Sequence, residues 1–429
     1  QKTLMIVNTC GWDTDCNSGN VGCFMGIKNG LAGIDAGPDW RGPVADQLYL
    51  PTADGGRAIS DAVHETYAIA NIGRALAGQA PLAPKAGARF HFELPGSVQG
   101  FRCDDTPESR GVITLSNVAG HSLTGSRSLA LHYHGLAPGR PGRAYTCTFI
   151  PAAEMNLRTY DLISSPTLYP SQTVEAEVEA EAANPGAVQG GLFIKYYGVK
   201  DSHQVMAGPP VVFKPGKRCH LSWTIPDLGG LPIQSVGLEI HGSCGESGTL
   251  YLDYLSWSGA PKLMLTRPKI ENTLWRRAWV NAVDHWDGWF HEAFRLIQDE
   301  GLGMIAHGTR EWTDYQIKAG MLSFLSTSFG LAVRVQGLRR YYALLLCKDG
   351  KARLVKALDG THTLKEVDFP LQFNTKYEIA LKVKGQRLQG WVDGAMLFDL
   401  VDNNQPLEGG AAALLLEEGT LSCEAVEIS

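Results

Sequence analysis

The sequence lacks any apolar run approaching the ~18 residues that a membrane-spanning helix needs, so no membrane partner is expected. No charged segment followed by an apolar stretch opens the chain, and a signal peptide is not read from it. Gln1 is not an initiator methionine, so the chain reads as one that begins after a cut, and its compartment is unknown. An excess of positive charge is missing too: 38 Lys and Arg stand against 44 Asp and Glu, a formal net charge of -6. Nucleic-acid partners, which select basic faces, are not expected. The nine cysteines contain no C-x-x-C pair, which removes zinc-knuckle and thioredoxin-like readings. Cys103 with Cys147 and Cys219 with Cys244 are candidate disulfides, and free buried thiols explain the scatter equally well.

What is present is material for several cores, because 429 residues exceed what one hydrophobic core organises. Residues 1–80 read as helical. ISDAVHETYAIANIGRALAG places Ile59, Val63, Tyr67, Ala70 and Ala75 or Leu76 at helical spacing, with Gly78 as the stop. The Gly-, Pro- and Asp-rich stretch IDAGPDWRGPVADQLYLPTADGG reads as a long ordered loop. Two helices and a loop cannot bury a core of their own.

From 88 to 262 the period changes to two. TVEAEVEAEA, GGLFIKYYGV, CHLSWTI, SVGLEIHG and GTLYLDYLSWSG are strands of an antiparallel sandwich, with APGRPGRAYT as loop between them. PKLMLTRPKIENTLWRRAW connects this region to a second all-β region, 276–429. There DYQIKAGML, FGLAVRVQG, RYYALLLCKDG, KARLVKAL, YEIALKVKG, RLQGWVDGAMLFDLVD and GGAAALLLEEG read as strands and turns. The fold class is therefore multidomain, α followed by all-β, with two antiparallel β-sandwiches.

The stretch GWDTDCNSGNVG carries the densest chemistry. Asp13 and Asp15 straddle one residue and can converge as hard oxygen ligands for a divalent ion. Asp15 also stands where a helix N-cap belongs, and as capping and turn residues the pair needs no metal. The following helix carries Gly19, Gly22, Gly26 and Gly30 on one face, which calls for close packing against another helix or a ligand at bare backbone.

GWDTDCNSGNVG is similar to the G-G-D-T-D-T-N-A segment of the ADP-ribosylglycohydrolase family, and the resemblance covers about residues 1–80. It implies the C-terminal part of an all-α domain built around a two-magnesium centre, with Mn²⁺ as a substitute. Asp13 and Asp15 match the aspartate ligands, which the resemblance makes catalytic. Cys16 takes the place of a threonine ligand and puts a soft sulfur where a hydroxyl belongs. Trp12 and Asn17 would then contact substrate; packing as a wall and a helix first-turn role are their plainer readings. The implied reaction is hydrolysis of the anomeric bond of ADP-ribose or a related glycoconjugate, on an ADP-ribosylated or glycosylated substrate. The family's other acidic segments, of the G-D-x-x-G and T/S-D-D-T types, are absent from this sequence, so the chain alone is expected to be inactive.

GTLYLDYLSWSG resembles the last strand of jelly-roll carbohydrate-binding modules, which implies a structural Ca²⁺ at Asp253. His132 and His134 share a strand face, as metal ligands or as cross-strand decoration. The last region resembles concanavalin-like, laminin-G-type sandwiches, with Trp391 packed under a hairpin turn. Glycan binding there would use Tyr341, Tyr342 and Trp312 with Arg339 or Arg340, unless alternation buries them. The cluster Trp275, Trp279, Trp286 and Trp289 reads as cement between domains. The main expectation is a metal-dependent glycoside hydrolase with glycan-binding modules; the rival is a non-catalytic glycan-binding protein with a relic helical domain.

Overall fold

The change of side-chain period along the chain sets the fold. In a computed structural model, which describes residues 1–50, 59–155 and 162–429, the long helices among the described residues lie before residue 80. They are α1 (Lys2–Asn8), α2 (Thr14–Asp35) and α3 (Ala62–Leu76). Neither α1 nor α2 contains a buried residue, and Phe24 and Ile27 point to solvent, as expected of helices without a core. The glycine stripe does not persist along α2. A Cβ at Gly22 would lie 3.8 Å from Leu4 of α1, but Gly30 has φ 65 and breaks the helix there.

Helix α3 starts and stops on local chemistry. The Asp61 carboxylate accepts from the backbone N–H groups of Val63 (2.9 Å) and His64 (2.8 Å). Gly78, at φ 66, lets its own N–H reach Ala75 O (3.1 Å) while Gln79 N–H reaches Arg74 O (2.8 Å), a Schellman ending. Of the expected apolar stripe only Val63 is buried and Leu76 is exposed; Ile69 and Ile72, outside that stripe, are exposed as well.

The segment read as one loop is partly paired: Gln47–Tyr49 forms a short ladder with Ile59–Asp61. Residues 51–56 of that expected loop lie outside the described residues. Arg41 anchors the segment, donating to Asp46 (2.9 and 3.1 Å) and to Pro95 O (3.0 Å), and Gly100 N–H donates to Ala45 O (2.7 Å). The bonds to Pro95 and Gly100 tie residues 41–45 to the first sandwich.

The first sandwich has two antiparallel sheets. One runs Val211–Phe213, Val188–Tyr197, Ile233–His241, Gly142–Cys147, Arg102–Cys103, with His203–Ala207 also on Val188–Tyr197; the other runs Arg218–Thr224, Thr173–Ala180, Glu246–Ser258, Arg127–Leu136, Ile113–Ala119. Alternating residues such as Val174, Ala176, Val178, Leu192, Ile194, Val236, Leu238, Leu250 and Leu252 fill the space between them. APGRPGRAYT is not all loop: Gly142–Cys147 is a strand paired with Ile233–His241, because AYTC alternates once the Pro and Gly residues are past. All nine cysteines are free, so neither candidate disulfide forms.

The last sandwich is built on three long strands, Phe294–His307, Tyr315–Gly337 and Ala411–Ile428. DYQIKAGML and FGLAVRVQG, expected as two strands, are one. Its first half pairs with Lys376–Lys384 and its second with Arg340–Cys347, so one strand serves both layers. Irregularities near Ser323 and at Arg334, where φ is 52, let it change direction. Leu263–Thr266 pairs with Ala425–Ile428, so this sandwich begins before residue 276 and claims part of the expected connector. The apolar runs YYALLL and AAALLL are continuous because both faces of those strands are covered.

The two sandwiches share a core. Tyr169 of the first packs among the buried residues of the last, its ring 4.8 Å from Trp312 and 5.4 Å from His307.

Candidate functional site

Asp13, Asp15 and Cys16 do come together. Each offers a ligand atom, all within 4.8 Å of one another, and all three residues are exposed; among the described residues this is the one such cluster of three or more His, Cys, Asp or Glu. Asp13 adopts a left-handed conformation (φ 44, ψ 54) just before α2, which turns its carboxylate toward that of Asp15. Backbone N–H groups of Cys16 and of Asp15 itself hold the Asp15 carboxyl below its usual range. The neighbouring charges of Asp13 and Asp15 push the Cys16 thiol up, so it stays protonated at neutral pH. Asn17 Nδ2 donates to Trp12 O at 3.2 Å. The Trp12 ring is 80% exposed.

Asp253, the expected calcium ligand, is occupied otherwise. Lys85 Nζ lies 2.6 Å from Asp253 Oδ1 and 3.3 Å from Glu93 Oε1, and donates to Asp253 O (2.6 Å) and Arg127 O (2.7 Å). The second carboxylate oxygen of Asp253 accepts from Leu123 N–H at 2.8 Å. An ammonium thus stands where a calcium ion was expected. His132 is cross-strand decoration, its ring nitrogens 2.9 Å from Ser116 Oγ and 3.0 Å from Thr249 Oγ1, and His134 is exposed.

Three aromatics expected to meet a glycan are buried. Tyr342 donates to Asp402 Oδ2 at 2.6 Å, Tyr341 lies in the apolar cluster on the opposite sheet face, and Trp312 packs against Tyr169 and Tyr315. Alternation on a strand covered on both faces leaves the two tyrosines nowhere else to go, while Trp312 lies in the connection before Tyr315–Gly337. Arg339 and Arg340 are exposed at the hairpin end before Tyr341. Of the tryptophan cluster, Trp275 and Trp279 are core and Trp286 caps them, donating to Ala293 O at 3.0 Å. Trp289 is 97% exposed and cements nothing.

Trp391 is placed differently from its expectation. It lies beside the Asp393–Gly394 turn, on the outward face of the sheet, and is half-buried. The turn has positive φ at both residues (47 and 78), the geometry that a two-residue hairpin favours. Register sets the surroundings of the indole. Lys318 pairs with Ala380, Ala380 with Trp391 and Trp391 with Met396, so a small residue and an exposed methionine flank the ring. The next outward row is polar: Gln316, Lys382, Gln389, Asp399. On the other side Glu378 stands opposite Gly320, and Asp393 Oδ1 accepts from Glu378 N–H at 2.8 Å. Gln316, Lys318, Glu378, Ala380, Trp391, Asp393 and Gly394 line an open depression of about 520 Å³. An indole edged by amides, two lysines and carboxylates can stack on an apolar ring face and bond polar groups at its rim. The pattern Q-x-K on one strand and Q-x-W on another was visible in the sequence; the strand pairing that joins them was not.

No protein-family model and no curated protein matches the chain. Among solved structures, a carbohydrate-binding module CBM66 from Bacillus subtilis is similar at 16% identity, with 35% of this chain and 94% of that one covered and a TM-score of 0.31. The CBM22-1 xylan-binding domain of Paenibacillus barcinonensis Xyn10C is similar at 11% identity, over 39% and 90%, with a TM-score of 0.29. Caenorhabditis elegans galectin LEC-6 is similar at 18% identity, over 27% and 83%, with a TM-score of 0.23. No ADP-ribosylglycohydrolase is among these similar structures.

Proposed function

We propose that this chain is a glycan-binding protein whose saccharide lies on the outward face of the last sandwich, across Trp391. The observation that carries the reading is the transverse row Lys318, Ala380, Trp391, Met396: a partly exposed indole with a small neighbour beside it and polar rows above and below. Sugars present an apolar C–H face ringed by hydroxyls, and this arrangement matches both halves. Gln316 and Gln389 each offer a donor and an acceptor, which suits neutral hydroxyls, while Lys318 and Glu378 extend the rim. Retention on columns of immobilised plant and bacterial polysaccharides tests it. Wild type should be retarded by at least one, and Trp391→Ala should elute with the void on that column; retention of the variant equal to wild type overturns the reading.

A second reading rests on the convergence of Asp13, Asp15 and Cys16 within 4.8 Å. Magnesium takes six oxygens in near-ideal octahedral geometry, whereas this set supplies two carboxylates and a protonated thiol. It does not fit a two-magnesium centre, and no hydrolytic step is derived through it. The set fits one surface-bound divalent ion, with Mn²⁺ better matched than Mg²⁺ to a site that includes sulfur. Calorimetry with MnCl₂ on wild type and on the Asp13→Ala, Asp15→Ala double variant decides this: heat lost in the variant supports the clasp, and equal heats remove it.

A further inference from the structure

The strongest unassigned feature is a cleft where α3, the first sandwich and the Arg310–Glu311 turn of the last sandwich meet. It holds an inner cavity of about 270 Å³ beside an outer one of about 510 Å³. His64, Ala68, Arg89, Trp257 and Glu311 line both. Arg89 lies over the Trp257 ring, its Cζ 4.1 Å from the centroid, and forms an ion pair with Glu311 across the domain boundary.

Two polar groups of the inner cavity have bonding capacity to spare. Asp61 is 6% exposed, and Oδ1 takes both cap bonds of α3, with Gln99 Nε2 at 3.5 Å; Oδ2 has no hydrogen-bond partner among the described residues. Arg89 Nε is buried and likewise unpartnered. One is an acceptor, the other a donor, and they enter from two different elements. Such groups are costly when empty and are met by water or by ligand. Burial raises the Asp61 carboxyl above its usual range, the sign of a desolvated wall. Among the described residues the Arg89 guanidinium is already paired with Glu311, so the bonding positions left in the cavity suit a neutral polar group. Phe90 and Trp257 supply apolar surface beside the polar atoms.

We infer that this cleft binds a single neutral polyhydroxylated molecule of monosaccharide size, whose adjacent hydroxyls donate to Asp61 Oδ2 and accept from Arg89 Nε. A hydroxyl is the group that can do either, and the apolar wall takes the C–H face. The site is separate from the Trp391 face and stands without it.

The test is a titration by calorimetry and saturation-transfer NMR with D-glucose, D-galactose, D-mannose, D-xylose, L-arabinose, D-fructose and myo-inositol. All proteins carry Trp391→Ala so that the other face cannot contribute. One or more probes should bind and raise Tm. Asp61→Asn keeps a helix-capping oxygen but replaces the open acceptor with a donor, and should weaken that probe at least tenfold. Ala68→Leu fills the cavity from an α3 position where leucine is a good helix former, and should abolish binding with the circular dichroism spectrum unchanged. Failure of every probe to bind, or undiminished binding in Ala68→Leu, overturns the inference and assigns the cavity to ordered water.

Discussion

Lys85 Nζ lies 2.6 Å from Asp253 Oδ1, and both side chains are about 1% exposed. Lys85 has the left-handed backbone that sends it inward (φ 48), and its ammonium is ringed by oxygens of Asp253, Glu93 and Arg127. The first sandwich thus carries its own cation as a side chain. Chelators should leave its Tm unchanged. Lys85→Met should strand the Asp253 carboxylate and cost about 3 to 5 kcal/mol in urea unfolding, with Lys85→Met, Asp253→Asn recovering a large part. Equal costs for the single and double variants would contradict the pairing.

The buried His307 makes the sandwich junction acid-sensitive. Burial pushes it down to about 4 despite its bond to Ala278 O, so the folded chain holds it neutral. The unfolded chain takes up that proton at a higher pH, near the ordinary ~6.5. Stability from this group is therefore complete above about 6.5 and falls as pH drops toward 4, by on the order of 3 kcal/mol in total. His91, also held at about 4 first by burial and then by Lys85, adds in the same direction. His307→Gln should flatten the dependence of urea midpoint on pH between 6.5 and 4; an unchanged slope would place the titration elsewhere.

Tyr169 joins two domains through one ring. Truncating it leaves a cavity against Trp312 and His307, and Tyr169→Ala should cost about 3 kcal/mol or more, as for buried aromatics generally. If the sandwiches unfold as one unit, differential scanning calorimetry of wild type shows a single transition that the variant splits or lowers. Two unchanged transitions in both proteins would show that the shared core does not couple them.

The ion pair between Arg89 and Glu311 crosses the same boundary at a half-exposed position. Water and salt screen such pairs, so Glu311→Gln should change stability by less than about 1 kcal/mol. A larger loss, measured by chemical denaturation, would mean that the pair holds the sandwiches together.

Much of the β architecture was legible in the chain. TVEAEVEAEA, SVGLEIHG and GTLYLDYLSWSG alternate because one face of each strand meets a core, and each is a strand within a few residues of its expected limits. The Asp393–Gly394 hairpin turn was equally plain. What alternation does not carry is pairing. Tyr341 and Tyr342 read as half-exposed until both faces of their strand prove covered, and Tyr315–Gly337 reads as two strands until its irregularities are placed. The acid pair of GWDTDC was visible from spacing alone, and it does converge; the lysine at Asp253 was invisible, because 168 residues separate Lys85 from its partner. The Trp391 face needed four strands in register before its residues became neighbours.

Calorimetric titration of a column-retained oligosaccharide into wild type and Trp391→Ala tests the central claim most directly. The account predicts saturable binding by wild type with at least a tenfold loss in the variant, at unchanged Tm. Equal affinity in both proteins, or loss of binding only together with loss of folding, would contradict it.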